Sequence, residues 1–357
     1  MKREETLLTL LNPSERSTPL AARATEYADL KREIKAAGLL ESKTLYYWAK
    51  SVIAFALLAL AVVVAVWAPN PWILLLDAAF LGFASTQVAL LAHDVGHRQG
   101  FRGRTTNRVA RAVFGNVLLA VSHSWWNQKH NQHHATPNHI DMDPDIQFPM
   151  LVFSAEQIGS RGRFMRRIIS IQAFVLIFLL PFQAANMRII SLTHLWSGKA
   201  EKPWLQGGLM ALHLAGYGVL LWAIGWPWAI PFAVIHQAAF GMYNSSVFAS
   251  NHKGMPLTTD GRRQDFLREQ VGTSRNVKGH PLTDFWYGGL NYQIEHHLFP
   301  TMPRCNLRKA QPIVERFCKD IGVSYHATGL FESYREVLSS LHRESASLRR
   351  GGATAEA

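Results

Sequence analysis

The sequence predicts an all-α membrane protein, because three of its features agree. Apolar residues make up 48% of the 357 residues, and charged residues only 17%. The charges leave several uncharged runs of about twenty residues, the length that a helix needs to span a bilayer. Histidines gather at the ends of these runs. We therefore expect four transmembrane helices in two hairpins, with interfacial helices and a cytoplasmic helical cap that collects the histidines.

The net charge and the cysteine content narrow the class of protein further. The formal charge is +12 at pH 7. We attribute the excess of Lys and Arg to the cytoplasmic side of a membrane protein and not to a nucleic-acid site, following the positive-inside tendency. The chain has two cysteines, Cys305 and Cys318, which excludes a disulfide framework. Its first forty residues are mostly polar and charged, so we expect no signal peptide.

The first hairpin follows a cytoplasmic N-terminal segment, residues 1–45. Within it, Thr25–Gly38 has the helix formers and mixed charge of a surface helix that ends at a glycine. We predict spans at about 48–68 and 72–92, because both runs are apolar and aromatic residues lie at their ends. A Pro-Asn-Pro turn separates them, so the second span returns to the side on which the first began.

The second hairpin is predicted at about 207–225 and 228–250, and two other apolar segments precede it. The apolar run within residues 108–122 is too short to span, so we expect this segment to lie in the interface. Residues 168–187 are long enough to cross. Arginines lie at both ends of that segment, however, and a crossing would put the last histidines on the opposite face from the first. We therefore expect it to be interfacial as well.

The rest of the chain is soluble in character. We expect a membrane and catalytic domain at residues 46–310, followed by a C-terminal cytoplasmic helix and a disordered tail at 311–357. The helix is predicted at Pro312–Ile321, with the proline in its first turn, and the tail from Glu344 onward. Both termini and the histidine-rich regions then lie on the cytoplasmic side.

The histidines form four groups at the ends of the predicted spans. The first is HDVGH at residues 93–97, whose two rings share one face of a helix. The second is HNQHH at residues 130–134. The third is His252 at the end of the fourth span, and the last is QIEHH at residues 293–297. Because all four groups are predicted on one side of the membrane, we expect them to meet.

Eight histidines in these groups predict a site for two metal ions. Each buried ring nitrogen needs a partner, and one ion with four or five ligands cannot use so many rings. Imidazole-rich sites with few carboxylates suit iron, copper or zinc and not magnesium or calcium. Ionisable side chains beside membrane helices are also costly to place without a function.

The motifs resemble those of the membrane fatty acid desaturase superfamily. HDVGH, HNQHH and QIEHHLFP occur between hydrophobic hairpins, and the leading glutamine of the last motif is similar to that of the acyl-lipid or front-end branch and its bacterial relatives. The resemblance covers roughly residues 45–310. It implies a non-haem diiron centre that uses O2 and two external electrons to introduce a C=C bond into an acyl chain. The implied iron ligands are His93, His97, His130, His133, His134, His252, His296 and His297.

Other positions follow the superfamily less closely. Gln293 occupies the position of a family ligand, although an amide is a weaker donor than an imidazole. One branch has an asparagine four residues before the fourth-span histidine, where this chain has Phe248. We expect nearby carboxylates to orient the imidazoles through their second nitrogens. The candidates are Asp94, Asp141, Asp143, Asp284 and Glu295.

The resemblance also implies a location and partners. The protein would lie in the bacterial cytoplasmic membrane and bind a fatty acyl chain that is lipid-, CoA- or carrier-protein-linked. The chain shows nothing similar to the cytochrome b5 domain that is fused to eukaryotic front-end enzymes. We therefore expect a ferredoxin- or rubredoxin-type electron donor with its reductase, docking on the basic regions Arg98–Arg111 or Arg161–Arg167.

Three alternatives remain open from the sequence. An acyl or terpenoid hydroxylase would use the same diiron scaffold but insert oxygen. A membrane metal transporter would line a path through the bilayer with histidines, whereas these lie on one side. A haem-binding membrane cytochrome would pair single histidines from facing spans and not adjacent doublets.

Overall fold

A computed structural model describes residues 20–68, 70–262 and 264–352. In these residues the protein is mainly helical with almost no sheet, which confirms the predicted all-α class. The described residues contain one small sheet, in which Asn276–Val277 (β1) pairs in parallel with Ala327–Thr328 (β2). Residues 1–19, which include Pro13 and the start of the predicted N-terminal segment, lie outside the described part, as does the end of the predicted tail.

Sixteen α-helices form the described architecture. They are α1 (Leu20–Ala36), α2 (Thr44–Trp67), α3 (Pro71–Gly96), α4 (Arg104–Arg111), α5 (His123–Ala135), α6 (Arg163–Ser170), α7 (Gln172–Leu179), α8 (Gln183–Leu195), α9 (Pro203–Ile224), α10 (Ala229–His252), α11 (Phe266–Gly272), α12 (Pro281–Tyr287), α13 (Gln293–Leu298), α14 (Arg304–Asp320), α15 (Leu330–Glu344) and α16 (Ala346–Gly352). A π-helical turn, Ala112–Val117, continues α4. Short 3-10 turns lie between other helices, at Pro144–Ile146, Ala155–Ile158, Leu180–Phe182 and Asp260–Arg262.

Four of the described helices are long and apolar enough to cross a membrane. Three of them, α2, α3 and α9, coincide with predicted spans. The fourth is Gln172–Leu195, which joins α7 and α8 and contains most of the segment predicted to be interfacial. The other predicted span forms the continuous helix α10, which is less apolar because it carries side chains such as Gln237, Asn244 and Ser245. Length and composition alone therefore do not decide which of these two segments crosses.

The pair formed by α3 and α10 is the most extensive helix contact in the structure. A Cβ atom added at Gly82 of α3 would lie 2.7 Å from the Cβ of Ala239 and 2.8 Å from the backbone nitrogen of Phe240. The helices approach so closely because glycine has no side chain, as is common at helix interfaces in membranes. Both helices end in histidines, so their packing places His93 and His252 at the same end of the bundle.

The segment Gln172–Leu195 packs against α10 without reaching its far end. A Cβ atom at Gly241 would lie 2.2 Å from the carbonyl oxygen of Pro181, so the turn between α7 and α8 touches the second half of α10. At one end of the segment, Gln172 donates to the carbonyl of Leu341 over 2.8 Å. At the other end, Ser191 accepts from the backbone of Ser122 over 3.0 Å. Ser122 caps the histidine-bearing helix α5.

A helical cap covers the histidine end of the bundle and is built from α1, α11, α13 and α14. These helices share one buried apolar core, whose members include Leu30, Ile34, Leu267, Ile294, Leu298, Leu307 and Val314. The described part of the predicted surface helix near residue 25 thus has a buried face. The sequence of this helix did not predict the buried face, because many of its residues are polar and only Leu30 and Ile34 are fully buried.

The C-terminal region differs from its sequence-based description in two ways. The helix predicted at Pro312 begins earlier, at Arg304, so the proline lies inside α14 and not in its first turn. The predicted disordered tail is helical as far as residue 352, in α16. Tertiary contacts stabilise it, since Arg349 donates to the carbonyl of Ser170 over 2.7 Å. Composition alone could not reveal that contact.

Candidate metal centre

A first group of four buried histidines lies where α3, α5 and α13 meet. His93 and His97 come from the end of α3, His130 from α5 and His296 from α13. One nitrogen of each lies within 4.8 Å of the others. The Nε2 atoms of His93 and His130 are 3.1 Å apart. Nitrogen donors from three helices therefore converge on one point, although their positions span two hundred residues of sequence.

A second group of three buried histidines lies beside the first. It combines His133 of α5, His252 at the end of α10 and His297 of α13. The Nε2 atoms of His133 and His252 are 3.3 Å apart. His134 lies between the groups, because its ring centroid is 4.8 Å from that of His296 and 4.2 Å from that of His297. All eight sequence-predicted histidines thus meet in one place.

The histidine doublets divide between the two groups. His296 and His297 are adjacent in sequence but belong to different groups, and their ring centroids are 5.8 Å apart. His130 and His133 divide in the same way along α5. Neighbouring residues of a helix point in directions about 100° apart, so one short helix can supply both groups. An adjacent doublet is therefore suited to two metal ions that lie side by side.

The nitrogens of this centre fit metal ions. Several of them are buried without a hydrogen-bond partner among the described residues, namely His97 Nε2, His134 Nδ1, both nitrogens of His296 and His297 Nε2. Such atoms are rare in folded proteins because each costs desolvation energy. Burial, reinforced by the neighbouring rings, lowers the pKa of His97, His130, His134, His296 and His297. The rings are therefore neutral, the form in which imidazole binds a metal.

Four of the histidines are held through their Nδ1 atoms, which directs Nε2 into the centre. His93 donates to Asp94 over 3.2 Å, and His133 donates to Asp143 over 3.0 Å. These are two of the five predicted carboxylates. Such partners fix the tautomer and the ring orientation of a metal-binding histidine. Asp94 is itself bonded to Arg304, and although burial disfavours the charge, Asp94 raises the pKa of that guanidinium.

The other two partners were not predicted. His252 Nδ1 lies 3.0 Å from the carbonyl oxygen of Thr273, and His297 Nδ1 lies 2.8 Å from Oε1 of Gln270. Both partners belong to the end of α11, which contains no histidine. Their sequence carries no local signal for such a role, and only the packing of α11 against α13 brings them to the rings.

The remaining predicted carboxylates lie elsewhere. Asp141 is exposed. Asp284 accepts hydrogen bonds from Tyr292 and Asn291 over 3.0 and 2.9 Å. Glu295 is fully buried and accepts from Asn276 and Tyr325, each over 2.7 Å. Burial raises the pKa of Glu295 to about 7, although both hydrogen bonds act in the opposite direction.

Gln293 lies at the edge of the second group. Its amide nitrogen is 2.9 Å from His252 Nε2, and its amide oxygen accepts from Asn251 over 3.0 Å. Phe248 packs near the first group, with its ring centroid 6.1 Å from that of His93. It occupies the position at which one branch of the superfamily with similar motifs has an asparagine. It lines an apolar cavity there and offers no metal donor.

That cavity opens beside the first histidine group. Its volume is about 60 Å³, and its walls include Ala92, His93, Trp126, Met187 and Phe248. A larger polar cavity of about 500 Å³ adjoins it, since Arg111 and Asn127 line both. Arg98 and Lys199 add further positive charge to the polar cavity, and Glu201 adds one carboxylate. A ligand with a polar head and an apolar tail would match these two adjoining cavities.

The fold and the site define a class of protein: a helical membrane protein with a buried polyhistidine centre at one end of its bundle. Comparison with known proteins specifies the class. Residues 69–329 match the model of the family described as fatty acid desaturase. The chain belongs to the fatty acid desaturase family.

Three relatives show the range of this similarity. The chain is 30% identical over 338 residues to the acyl-lipid (9-3)-desaturase of Physcomitrium patens, covering 92% of this chain and 64% of the relative. It is 28% identical over 332 residues to a Delta(6)-fatty-acid desaturase of Caenorhabditis elegans, covering 88% and 74%. It is 30% identical over 297 residues to the Delta 8-(E)-sphingolipid desaturase of Candida albicans, covering 75% and 50%. The chain thus spans between half and three quarters of these relatives.

Proposed function

We propose that the protein is a membrane-bound fatty acyl desaturase with a non-haem diiron centre. The observation that carries the proposal is the convergence of eight histidines, seven in two adjoining groups and His134 between them, with several nitrogens buried and without a hydrogen-bond partner among the described residues. Two bound iron ions would supply the oxidising chemistry, using O2 and two external electrons to remove two hydrogens from the acyl chain. An alkyl C–H bond has no acidic proton, so side-chain acid–base catalysis could not break it.

The protein's own residues then have three tasks. The histidines hold the metal ions, with His93, His97, His130 and His296 at one and His133, His252 and His297 at the other, and His134 between them. Asp94, Asp143, Gln270 and the carbonyl of Thr273 keep the rings oriented. The cap and the helix bundle bury the centre and so exclude water from it.

The reacting part of the acyl chain would bind in the apolar cavity beside His93, whose volume of about 60 Å³ admits only a short piece of the chain. Trp126 and Phe248 line the cavity on the side of the first histidine group, so a methylene group placed there would adjoin the centre. The polar head of the substrate, whether a lipid, CoA or a carrier protein, would occupy the adjoining polar cavity near Arg98 and Arg111. The apolar walls make an uncharged hydrocarbon segment the best occupant.

We further propose that α2, α3, α9 and α10 cross the membrane. Gln172–Leu195 then enters and leaves on the side where the histidines lie. This side is the cytoplasmic one, and both termini lie on it. The contacts at the two ends of that segment support this arrangement, since both involve elements at the histidine end. The polar side chains of α10 do not oppose a crossing because many of them face α3 or the bundle interior.

The electrons would come from a separate ferredoxin- or rubredoxin-type donor and its reductase. Exposed arginines support this proposal, because two clusters of them lie next to histidine-side elements, in and before α4 and in α6. Such clusters attract acidic proteins.

Product analysis tests the activity. The full chain, expressed in a host with a simple lipid profile and supplied with an electron-donor system, should yield acyl chains that are two hydrogens lighter. Mass spectrometry with location of the double bond measures this. A product heavier by one oxygen would instead identify a hydroxylase, and unchanged lipids with an iron-loaded protein would contradict both.

Three variants separate loss of metal from loss of substrate binding. His133→Ala should lose iron and product together, because it removes a ligand. Ala92→Phe should keep iron but lose product, because the phenyl ring of the new side chain fills the apolar cavity. His342→Ala is the matched control and should keep both, since this histidine is exposed. Undiminished iron and activity in His133→Ala would refute the ligand assignment.

A further inference from the structure

A second cavity lies on the face of α3 that points away from the histidine centre. It has a volume of about 230 Å³ and takes Phe83, Gln87 and Leu91 from α3. The cavity beside the centre takes Ala89, Ala92 and His93 instead. At 100° per residue, these two sets lie on opposite sides of the helix. The second cavity is therefore a separate space, and the proposed reaction does not use it.

One end of this second cavity is positively charged. Lys50 of α2 and Arg304 and Arg308 of α14 line it, against the single carboxylate of Asp284. That carboxylate is already engaged, since it accepts from Tyr292 over 3.0 Å, from Asn291 over 2.9 Å and from Arg308 over 3.2 Å. Asp94 pairs with Arg304 from outside the cavity lining, so the three cations face two carboxylates and one positive charge remains in excess.

Arg304 is the side chain that points to an anionic ligand. It is only 7% exposed, and its Nε bonds to Asp94 while its Nη1 donates to the carbonyl of Gly288 over 3.4 Å. Its third nitrogen, Nη2, is buried and has no hydrogen-bond partner in the described part of the chain. An arginine donor left unpaired at a cavity is a ready partner for a phosphate oxygen.

The backbone makes room for this guanidinium. Gly288 has φ +58°, and a Cβ atom there would lie 2.6 Å from Arg304 Nη1. A side chain at this position would displace the arginine, so the turn after α12 depends on glycine for both its conformation and its space.

The other end of the second cavity is apolar and opens to the side of the bundle. Ile53 of α2 is 52% exposed and Phe285 of α12 is 53% exposed, and Leu57 continues the apolar wall along α2. A cavity of this size is smaller than the roughly 300–1,000 Å³ that enclose a whole drug-sized ligand. It would enclose a head group only, while attached hydrocarbon chains would lie along the exposed apolar surface of α2.

We propose that this cavity binds the head group of an anionic phospholipid. The phosphate would contact Arg304 Nη2, with Lys50 and Arg308 at its sides, and the acyl chains would follow Ile53 and Leu57 into the bilayer. The difference between the charged end and the apolar end favours a lipid over a free anion, because only a lipid has an apolar part for the second end. Basic side chains at the membrane surface favour anionic over neutral lipids.

Native mass spectrometry of the detergent-solubilised full chain tests this site without reference to metal or activity. The probes are dioctanoyl phosphatidylglycerol, dioctanoyl phosphatidylcholine and inorganic phosphate. The wild-type protein should bind one phosphatidylglycerol at least tenfold more tightly than the double variant Lys50→Gln/Arg308→Gln. Phosphatidylcholine should bind the two proteins equally, since its contacts are those of the general apolar surface.

The control is a double variant that removes the same number of positive charges outside the cavity. Arg104→Gln/Lys319→Gln alters two exposed cations outside the cavity and should bind phosphatidylglycerol as the wild type does. Arg304 is left in place because it also holds Asp94. Equal binding of phosphatidylglycerol by the wild type and the cavity variant would overturn the proposal. Full displacement of the lipid by equimolar inorganic phosphate would also overturn it, in favour of a free-anion site.

Discussion

Three aspartates contact histidines of the centre: Asp94 contacts His93, and Asp143 and Asp145 both contact His133, the latter over 3.5 Å. Asp94 and Asp143 differ in what else they hold. Asp94 links His93 to Arg304. Asp143 links His133 to the loop after α5, since it accepts from the backbone nitrogens of Asn138 over 2.7 Å and Asp145 over 2.8 Å. Asp143 therefore couples the orientation of one metal-binding ring to the shape of a loop.

Replacement of Asp143 by asparagine should weaken metal binding at the second histidine group. The neutral amide holds His133 less firmly, and loss of such a partner typically costs about 10–100-fold in metal affinity. Iron content after titration with a chelator measures the change. Asp141→Asn is the matched control, because Asp141 is exposed, and its affinity should equal that of the wild type. Equal affinity of both variants would show that Asp143 does not support the metal.

At the scale of elements, the segment Gln172–Leu195 shows how hydropathy and tertiary contacts can disagree. It is apolar and long enough to span. Its turn, however, docks on Gly241 of α10, and Gln172 and Ser191 at its two ends both bond to histidine-side elements. A path that enters and leaves on the same side satisfies all three contacts.

Cysteine labelling tests this path. On a Cys305→Ser/Cys318→Ala background, Ser160→Cys and Ser197→Cys flank the segment, and both positions are exposed. A membrane-impermeant maleimide should label both from the same, cytoplasmic, side of sealed vesicles. Trp226→Cys, in the turn between α9 and α10, is the control and should be labelled from the opposite side only. Labelling of positions 160 and 197 from opposite sides would establish that the segment crosses.

The whole molecule carries a formal charge of +12, and its basic residues are not spread evenly. Arg104 and Arg108 of α4 are exposed, as are Arg163, Arg166 and Arg167 of α6. Neither cluster forms an ion pair among the described residues. Unpaired surface charge of one sign speeds the association of an oppositely charged partner more than it strengthens the final complex.

Charge reversal should therefore slow reduction by an acidic donor. Arg104→Glu/Arg108→Glu or Arg163→Glu/Arg166→Glu should raise the KM for the donor roughly tenfold at low ionic strength, and salt should reduce the difference. Steady-state turnover at varied donor concentration measures it, and the two variants show which cluster is used. Lys309→Glu/Lys319→Glu is the control with equal charge change on α14. An unchanged KM in both arginine variants would exclude docking at either cluster.

The sequence by itself determined the class, three of the four helices long and apolar enough to cross a membrane, and the identity of the eight clustered histidines. These properties are local: hydropathy over twenty residues, the 3.6-residue period and the spacing of like side chains can each be seen within one segment. The predicted pairing of His93 with His97 on one helical face depends on nothing beyond α3. Asp94 and Asp143 could be proposed for the same reason, since each lies within ten residues of the histidine that it contacts.

Only the tertiary structure decided how those histidines divide and what supports them. Gln270 lies 27 residues from His297, and Arg304 lies 210 residues from Asp94, so no local pattern could pair them. The path of Gln172–Leu195 and the helical end of the C-terminal region depend in the same way on contacts with distant segments. Hydropathy measures what a segment is made of, whereas its final position depends on which other surface it packs against.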